Sequence, residues 1–292
     1  MSVYNIFIMK KSLKKQNTLN YNNRISKKYK KNKNQKRSIH HFFNIYKGGK
    51  PTLPTIKTTK DFWEEKIKQG IDDKWYKKAI EKWAKKPASV SGVLDGYVSA
   101  SEPDLQESRT FLGKLARVYG KNTDKQIINA DRELRALDCG AGIGRISSGV
   151  LIEKFHYVDL VEPVSHFIDE AKKILGNLGH KGNFYEYSLQ DFNTTEKYDC
   201  IWIQWVLGQL TDNDVIMFFE RCKSMLKPNG VIIVKENILS NGFAIDENYN
   251  LINRNYSDMK KLFDLAGLSL ICEENQKDFP SYLIKVNMFA LE

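Results

Sequence analysis

Residues 134–145 read Leu-Arg-Ala-Leu-Asp-Cys-Gly-Ala-Gly-Ile-Gly-Arg. A short apolar run feeds three glycines at spacing Gly-x-Gly-x-Gly (Gly140, Gly142, Gly144), and a helix-like segment follows. Glycine lets a backbone turn tightly and approach a ligand with no Cβ in the way. The helix beyond such a turn points its N-terminal amides at that ligand. Taken alone, the pattern fits a ligand loop and a bare glycine-rich turn equally. The rest of the chain decides between them.

After the glycines, helix and strand patterns alternate. Residues 143–154 read as a helix, Tyr157–Val161 as a buried strand, and 165–175 as a helix opened by a Ser165 cap. Residues 183–188 and Tyr198–Gln204 read as strands. Residues 212–226 form a helix pattern with Val215, Phe218, Phe219, Cys222 and Leu226 inward, stopped by Lys227-Pro228-Asn229-Gly230. A β-branched strand covers 231–235, and a helix over 256–266 closes at Gly267. Residues 268–272 and 282–291 are two last strands with no helix pattern between them. Alternation of this kind predicts a mostly parallel sheet covered on both faces. Its ligand site lies at the carboxyl ends of the strands. The last two strands predict an antiparallel pair at one edge. That ending is usual in S-adenosylmethionine (SAM) methyltransferases and uncommon in nicotinamide-binding domains.

Charge divides the chain. The net charge is +11, yet residues 1–60 hold 16 Lys/Arg and no Asp or Glu. That leaves 30 basic against 35 acidic residues over 61–292, a net of −5. The boundaries expected are a disordered basic extension and linker over 1–60, a helical cap over 61–120, and the α/β body over 121–292. The Lys/Asn-rich tail is expected to lack a fold. It fits an extension of no defined role, a nuclear address or weak attraction to acidic partners such as nucleic acid. Met1–Met9 is too short, and lacks the charged lead, for a signal peptide. No run reaches the roughly 18 apolar residues of a membrane span. The four cysteines form no Cys-x-x-Cys pair, so neither a metal site nor a disulfide framework is expected. A cytoplasmic or nuclear setting follows. In the cap, Trp63, Ile67, Ile71, Trp75, Ile80 and Trp83 recur at helical spacing until Pro87, and 108–119 reads as a further helix.

The candidate site residues follow from the sheet. An adenosyl ligand needs a carboxylate for its ribose about 20 residues beyond the glycines. Glu162 stands 20 residues after Gly142, at the end of Tyr-Val-Asp-Leu-Val. Leu189-Gln190 follows the third strand, where an adenine edge would lie, and Gln204-Trp205 ends the fourth. The spacing Gly-x-Gly-x-Gly, rather than Gly-x-Gly-x-x-Gly, weakens a nicotinamide reading.

The run 137–145 (Leu-Asp-Cys-Gly-Ala-Gly-Ile-Gly-Arg), the run 201–208 (Ile-Trp-Ile-Gln-Trp-Val-Leu-Gly), and Arg221-Cys222-Lys223 with Pro228-Asn229-Gly230 closely resemble the eukaryotic protein α-N-terminal methyltransferases. The resemblance runs from about Trp83 to the C-terminus. It implies a class I SAM-dependent methyltransferase fold: a Rossmann-like, seven-stranded, mostly parallel sheet with an antiparallel C-terminal strand, plus N-terminal helices. It implies methyl transfer from SAM to the free α-amine of proteins that begin Xaa-Pro-Lys after loss of the initiator Met. Cofactor contacts are implied at Gly140, Gly142, Arg145, Glu162, Pro163, Val164, Leu189, Gln190 and Gln204. Substrate contacts are implied at Trp205, Asn237, Asp246, Leu94, Tyr97 and Trp83, with Asn237 and Asp246 catalytic. Several positions depart from the family pattern. Glu162 stands where the family usually has Asp, Gln209 replaces a His, the family's Asp-x-x-Asp-Ser-Ser stretch reads Asp246-Glu247-Asn248-Tyr249-Asn250-Leu251 and keeps only its first acid, and Ile284 replaces a channel Tyr. A shifted protein or small-molecule substrate, or a SAM-binding scaffold without activity, are the alternatives these departures admit.

Overall fold

The computed structural model describes residues 58–68, 72–122, 133–280 and 282–292. The basic tail, its linker and Ile71 lie outside the described residues. In chain order the helices are α1 (Thr59–Lys68), α2 (Asp72–Trp83), α3 (Val90–Val93), α4 (Ser101–Asn122), α5 (Arg145–Gly149), α6 (Ser165–Asn177), α7 (Asp212–Met225) and α8 (Tyr256–Leu265). The strands are β1 (Arg135–Cys139), β2 (Tyr157–Val161), β3 (Phe184–Tyr185), β4 (Tyr198–Gln204), β5 (Leu226–Leu239), β6 (Phe243–Asp246), β7 (Leu251–Asn255), β8 (Leu270–Asn275) and β9 (Lys285–Leu291).

The apolar runs become the centre of the sheet. β1 pairs in parallel with β2 and β4, β2 with β3, and β4 with β5. β9 then pairs antiparallel with both β5 and β8. This gives the seven-strand order β3-β2-β1-β4-β5-β9-β8. All seven residues of β4 are buried, as expected of a strand covered on both faces. Ile201 and Ile203 point into a core under α7 and α8 with Phe218, Phe219 and Phe263. Their neighbours Cys200 and Trp202 point to the opposite core, with Phe111 and Leu112 of α4 and Ile168 of α6. Burial of side chains this large stabilises by about 1.5–3 kcal/mol each.

Several local expectations are corrected. Two further strands, β6 and β7, form an antiparallel hairpin, and β7 joins the end of β5 through Ile238↔Arg254 and Leu239↔Asn255. Phe-Ala-Ile-Asp and Leu-Ile-Asn-Arg-Asn carry no β-branched run, so the hairpin is set by what packs on it. The helix expected over 143–154 shrinks to α5, followed by a 3-10 turn Leu151–Glu153. Residues 143–144 still belong to the glycine turn, and Val150 leaves the helical region (φ −136°) to bury itself beside Leu151 and Phe155. Val164, not Ser165, caps α6, and the Ser165 hydroxyl instead donates to Glu186. β3 keeps only two residues. β5 starts directly after α7, with Asn229 in the left-handed region (φ 64°) where the register slips. Ile67 is 46% exposed and leaves the cap's apolar face.

The cap lies across the hairpin and the glycine loop. Phe62, Trp63 and Trp75 pack with Ile252 of β7, and the Trp63 and Trp75 rings meet edge to face at 5.0 Å. Trp75 Nε1 donates to the Gln209 carbonyl at 2.8 Å, and Asn250 Nδ2 donates to the Trp75 carbonyl at 3.0 Å. Ile80, Trp83 and Val93 pack with Ile143, Val164 and Phe167.

At the amino ends of the strands, Asp159 is fully buried. It accepts from Arg135 Nη1 (2.8 Å), the Asn183 amide (2.8 Å) and the Tyr198 hydroxyl (2.9 Å). Loss of this carboxylate strands the buried Tyr198 hydroxyl, at a cost of about 1–3 kcal/mol, and leaves the Arg135 guanidinium without this partner. Asp159→Ala is therefore expected to destabilise the fold by about 3 kcal/mol, read from urea unfolding; a change under about 1 kcal/mol would refute this role.

Candidate active site

The carboxyl ends of β1, β2 and β4 open into one cleft with about 1060 Å³ of empty space, its mouth included. Gly140 and Gly142 form its floor, both in the left-handed region (φ 71° and 56°). A Cβ on Gly140 would lie 2.7 Å from Val206 Cγ2, and one on Gly142 would lie 3.2 Å from Val93 Cγ1. Side chains at these positions would clash and strain the backbone. Arg145, Glu162, Pro163 and Val164 line the same space. So do Leu189, Gln190, Gln204 and Trp205, with Trp83 and Leu94 from the cap. Three residues expected at the site do not line it: Tyr97, Asn237 and Asp246. Asn237 pairs with Val286 across β5 and β9, and Asp246 Oδ1 accepts from the Asn248 amide at 2.9 Å.

Glu162 ties the loop to the sheet. Its Oε2 accepts from the Gly142 amide and its Oε1 from the Val164 amide, both at 2.9 Å. Burial pushes its carboxyl up to about 7 against the pull of those two amides. Asp138, one strand earlier, accepts from the Ser147 amide (3.1 Å) and hydroxyl (2.7 Å), and burial lifts it to about 6. Glu236 accepts from the Leu207 amide at 2.8 Å beneath the loop after Trp205, and burial lifts it to about 7. Burial also holds the Cys139 thiol well above its usual range, so it stays protonated and is no nucleophile.

The sequence reading missed a buried cluster behind the cleft. Asp104, in the first turn of α4, is fully buried. It takes Arg145 Nη2 at 2.7 Å, Lys235 Nζ at 2.6 Å and Gln204 Nε2 at 2.9 and 3.0 Å. Asp104 looks in sequence like any acid at a helix start. Lys235 carries the available signal, since a lysine ending a buried Val-Ile-Ile-Val run requires a partner. Burial lowers the Lys235 pKa, opposed by Asp104.

Trp205 sits in the left-handed region (φ 54°), an uncommon geometry for an aromatic residue. The Arg145 guanidinium lies 5.6 Å from its ring centre. Among the described residues, Arg145 Nη1, Trp205 Nε1 and both amide atoms of Gln209 are buried without a hydrogen-bond partner. All three residues line the cleft, so unpaired donors and an acceptor face a space with room for a polar ligand. One wall is clamped. Tyr249 of the hairpin turn packs on Trp83 at 5.3 Å, and Lys82 and Lys86 lie 5.1 and 5.4 Å from its ring. Lys86 pairs with Asp95.

Comparison with known proteins gives the chemistry of this cleft. Residues 72–292 match the model of the AdoMet dependent proline di-methyltransferases. The chain belongs to that family. It is 41% identical over 244 residues to Alpha N-terminal protein methyltransferase 1 of Arabidopsis thaliana, covering 81% of this chain and 87% of that protein. It is 38% identical over 222 residues to N-terminal Xaa-Pro-Lys N-methyltransferase 1-B of Xenopus laevis, covering 75% and 96%. A SAM-dependent methyltransferase of Leishmania major superposes with a TM-score of 0.70 at 33% identity, covering 80% and 91%. The fold is that of class I SAM methyltransferases, and the cofactor is SAM. The enzyme is a SAM-dependent methyltransferase. The cleft suits that cofactor: its lining offers a buried carboxylate, an unpaired guanidinium nitrogen and a glycine floor free of side chains. Among the described residues no helix is long and apolar enough to cross a membrane, and no acid, His or Cys cluster is arranged for a metal.

Buried carboxylates whose folded pKa is raised bind more protons than the unfolded chain between about pH 4.5 and 7, so stability falls as pH rises there. Asp138, Glu162 and Glu236 all act in this direction. His180, whose pKa burial lowers, opposes them as one group against three. The ligand-free melting temperature is expected to fall from pH 5 to 7.5, less steeply in Glu162→Gln. A rise across that window would refute the assignment.

Proposed function

We propose that this methyltransferase acts on the free α-amine of proteins whose N-termini read Xaa-Pro-Lys once the initiator Met is removed. The named activity of the Xenopus relative supports this reading. The observation that carries it is Trp205, held at φ 54° on the cleft wall beside Arg145. A flat aromatic face suits the rigid apolar ring of a proline at the second position.

The chain's own residues divide the work. Glu162 holds the ribose hydroxyls, Arg145 takes the cofactor carboxylate, and Leu189 and Gln190 meet the adenine. When bound, SAM supplies an electrophilic methyl group on its sulfonium. The protein holds the amine in line and excludes water. An α-amine has a pKa of about 7.7–8.0, against about 10.4 for lysine, so roughly a tenth of it is neutral at pH 7. No strong base is required, and the neutral amide of Gln209 suffices as a hydrogen-bonding group. Asn237 precedes the β5 residues that pair with β7, and Asp246 ends β6. Neither lines the cleft; the roles given to them, the amine for Asn237 and the substrate's basic third residue for Asp246, rest on the family resemblance.

A second reading changes only that third residue. Tyr249 stands where the family pattern has an acid, and Lys82 and Lys86 flank it. Lys86 is paired with Asp95, so among the described residues Lys82 is the cation left there to disfavour a lysine and favour a neutral or acidic side chain.

Incubation with SAM and hexapeptides beginning Ser-Pro-Lys, Ser-Pro-Glu, Ser-Ala-Lys and acetyl-Ser-Pro-Lys, read by mass spectrometry, tests both. Ser-Pro-Lys is expected to gain methyl groups and the acetylated peptide none; methylation of the acetylated peptide would sink the α-amine reading. Faster turnover of Ser-Pro-Glu would favour the second reading. Trp205→Ala is expected to lower kcat/KM by at least 100-fold while SAM affinity changes less than threefold. Unchanged turnover would refute stacking on the proline.

A further inference from the structure

Asp104, fully buried, takes two cations, Arg145 and Lys235. The Lys235 ammonium is fully spent: it donates to Asp104 Oδ1 (2.6 Å), to the Asp104 carbonyl (3.1 Å) and to Ser108 Oγ (2.9 Å). All three partners are on α4. Arg145 is spent only in part, with Nη2 on Asp104 and Nη1 unpartnered. The cluster therefore keeps one open donor, Arg145 Nη1, on a residue that lines the cleft. A buried donor without a partner is costly. Its acceptor enters with the ligand.

The same carboxylate fixes the neighbour of Trp205. Gln204 donates through Nε2 to Asp104 and accepts through Oε1 from Trp202 Nε1 at 3.0 Å. Its amide is locked at both ends. Asp104 thus sets two things at once: the direction of the guanidinium, and the side chain preceding the left-handed Trp205 over which that guanidinium lies.

We propose that Asp104 is a positioning residue for cofactor capture. It aims Arg145 so that Nη1 meets the carboxylate at the amino-acid end of SAM, and it brings that aim from the cap rather than from the α/β sheet. The proposal rests on the reading in which Arg145 takes that carboxylate.

The test compares two ligands of the full chain by calorimetry. S-adenosylhomocysteine carries the amino-acid carboxylate; 5′-methylthioadenosine keeps the adenosine and thioether without it. Asp104→Asn is expected to weaken S-adenosylhomocysteine at least tenfold and 5′-methylthioadenosine less than twofold. The single variant leaves Lys235 buried without its anion, so the charge-balanced pair Asp104→Asn with Lys235→Met is measured beside it and is expected to show the same selective loss. Equal weakening of both ligands, no weakening, or failure of both variants to fold would overturn the positioning role. Arg145→Ala separates this from the underlying reading. Selective loss in Arg145→Ala without selective loss in the Asp104 variants overturns the proposal and leaves Arg145 as the carboxylate ligand. No selective loss in Arg145→Ala overturns that assignment and the proposal with it.

Discussion

A buried carboxylate between two buried cations is the constraint to which the ligand cleft is fitted. Asp104, Arg145, Gln204 and Lys235 come from α4, the glycine loop, β4 and β5, and none can be desolvated without the others. Removing one partner of a buried ion pair leaves an uncompensated charge and costs about 3–5 kcal/mol. The cap helix therefore has one admissible seat on the sheet. That seat presents Arg145 to the cleft and places it over Trp205.

The second constraint is the seam between cap and hairpin. Arg254 on β7 donates to Asp212 Oδ1 (2.9 and 2.7 Å) and to the carbonyls of Leu207 (3.0 Å) and Leu210 (2.8 Å). Asp212 in turn accepts from Thr59 Oγ1 (2.6 Å) and Trp63 Nε1 (3.1 Å) on α1. One residue of the hairpin thus fixes the loop after Trp205, and through Asp212 the first helix of the cap. With the Tyr249–Trp83 contact, this makes the cleft wall a joint product of two segments more than 160 residues apart. A wall built this way is held by side-chain contacts from both segments, so the shape of the cleft depends on both.

The sequence carried much of the sheet and half of the site. β4 and the buried centre of β5 are legible because strands covered on both faces must be continuously apolar. Gly140, Gly142 and Glu162 are legible because the ligand distance is local, one strand–turn–helix unit long. The hairpin β6–β7 was not, because its half-buried residues carry no clear period-two pattern and its partners are the aromatic side chains of α1 and α2. Ser165 was misread as a cap because the chain enters the helix one residue earlier: Val164 is the extended boundary residue, its amide held by Glu162 two residues back, and Ser165 is already helical. Asp104 was invisible because nothing in a helix's first turn distinguishes an acid that faces solvent from one that faces Arg145.

By itself, then, the sequence determined the parallel sheet and the glycine floor, since those follow from local periodicity and from one turn's need for residues without Cβ; the cofactor came from Glu162, the antiparallel ending and the family resemblance together. Tertiary structure alone decided which charges are buried together, where the hairpin closes, and that Asn237 and Asp246 stand back from the cleft that Trp205 enters. These depend on contacts across long stretches of chain, and desolvation, which makes such contacts decisive, acts only once the chain has folded around them.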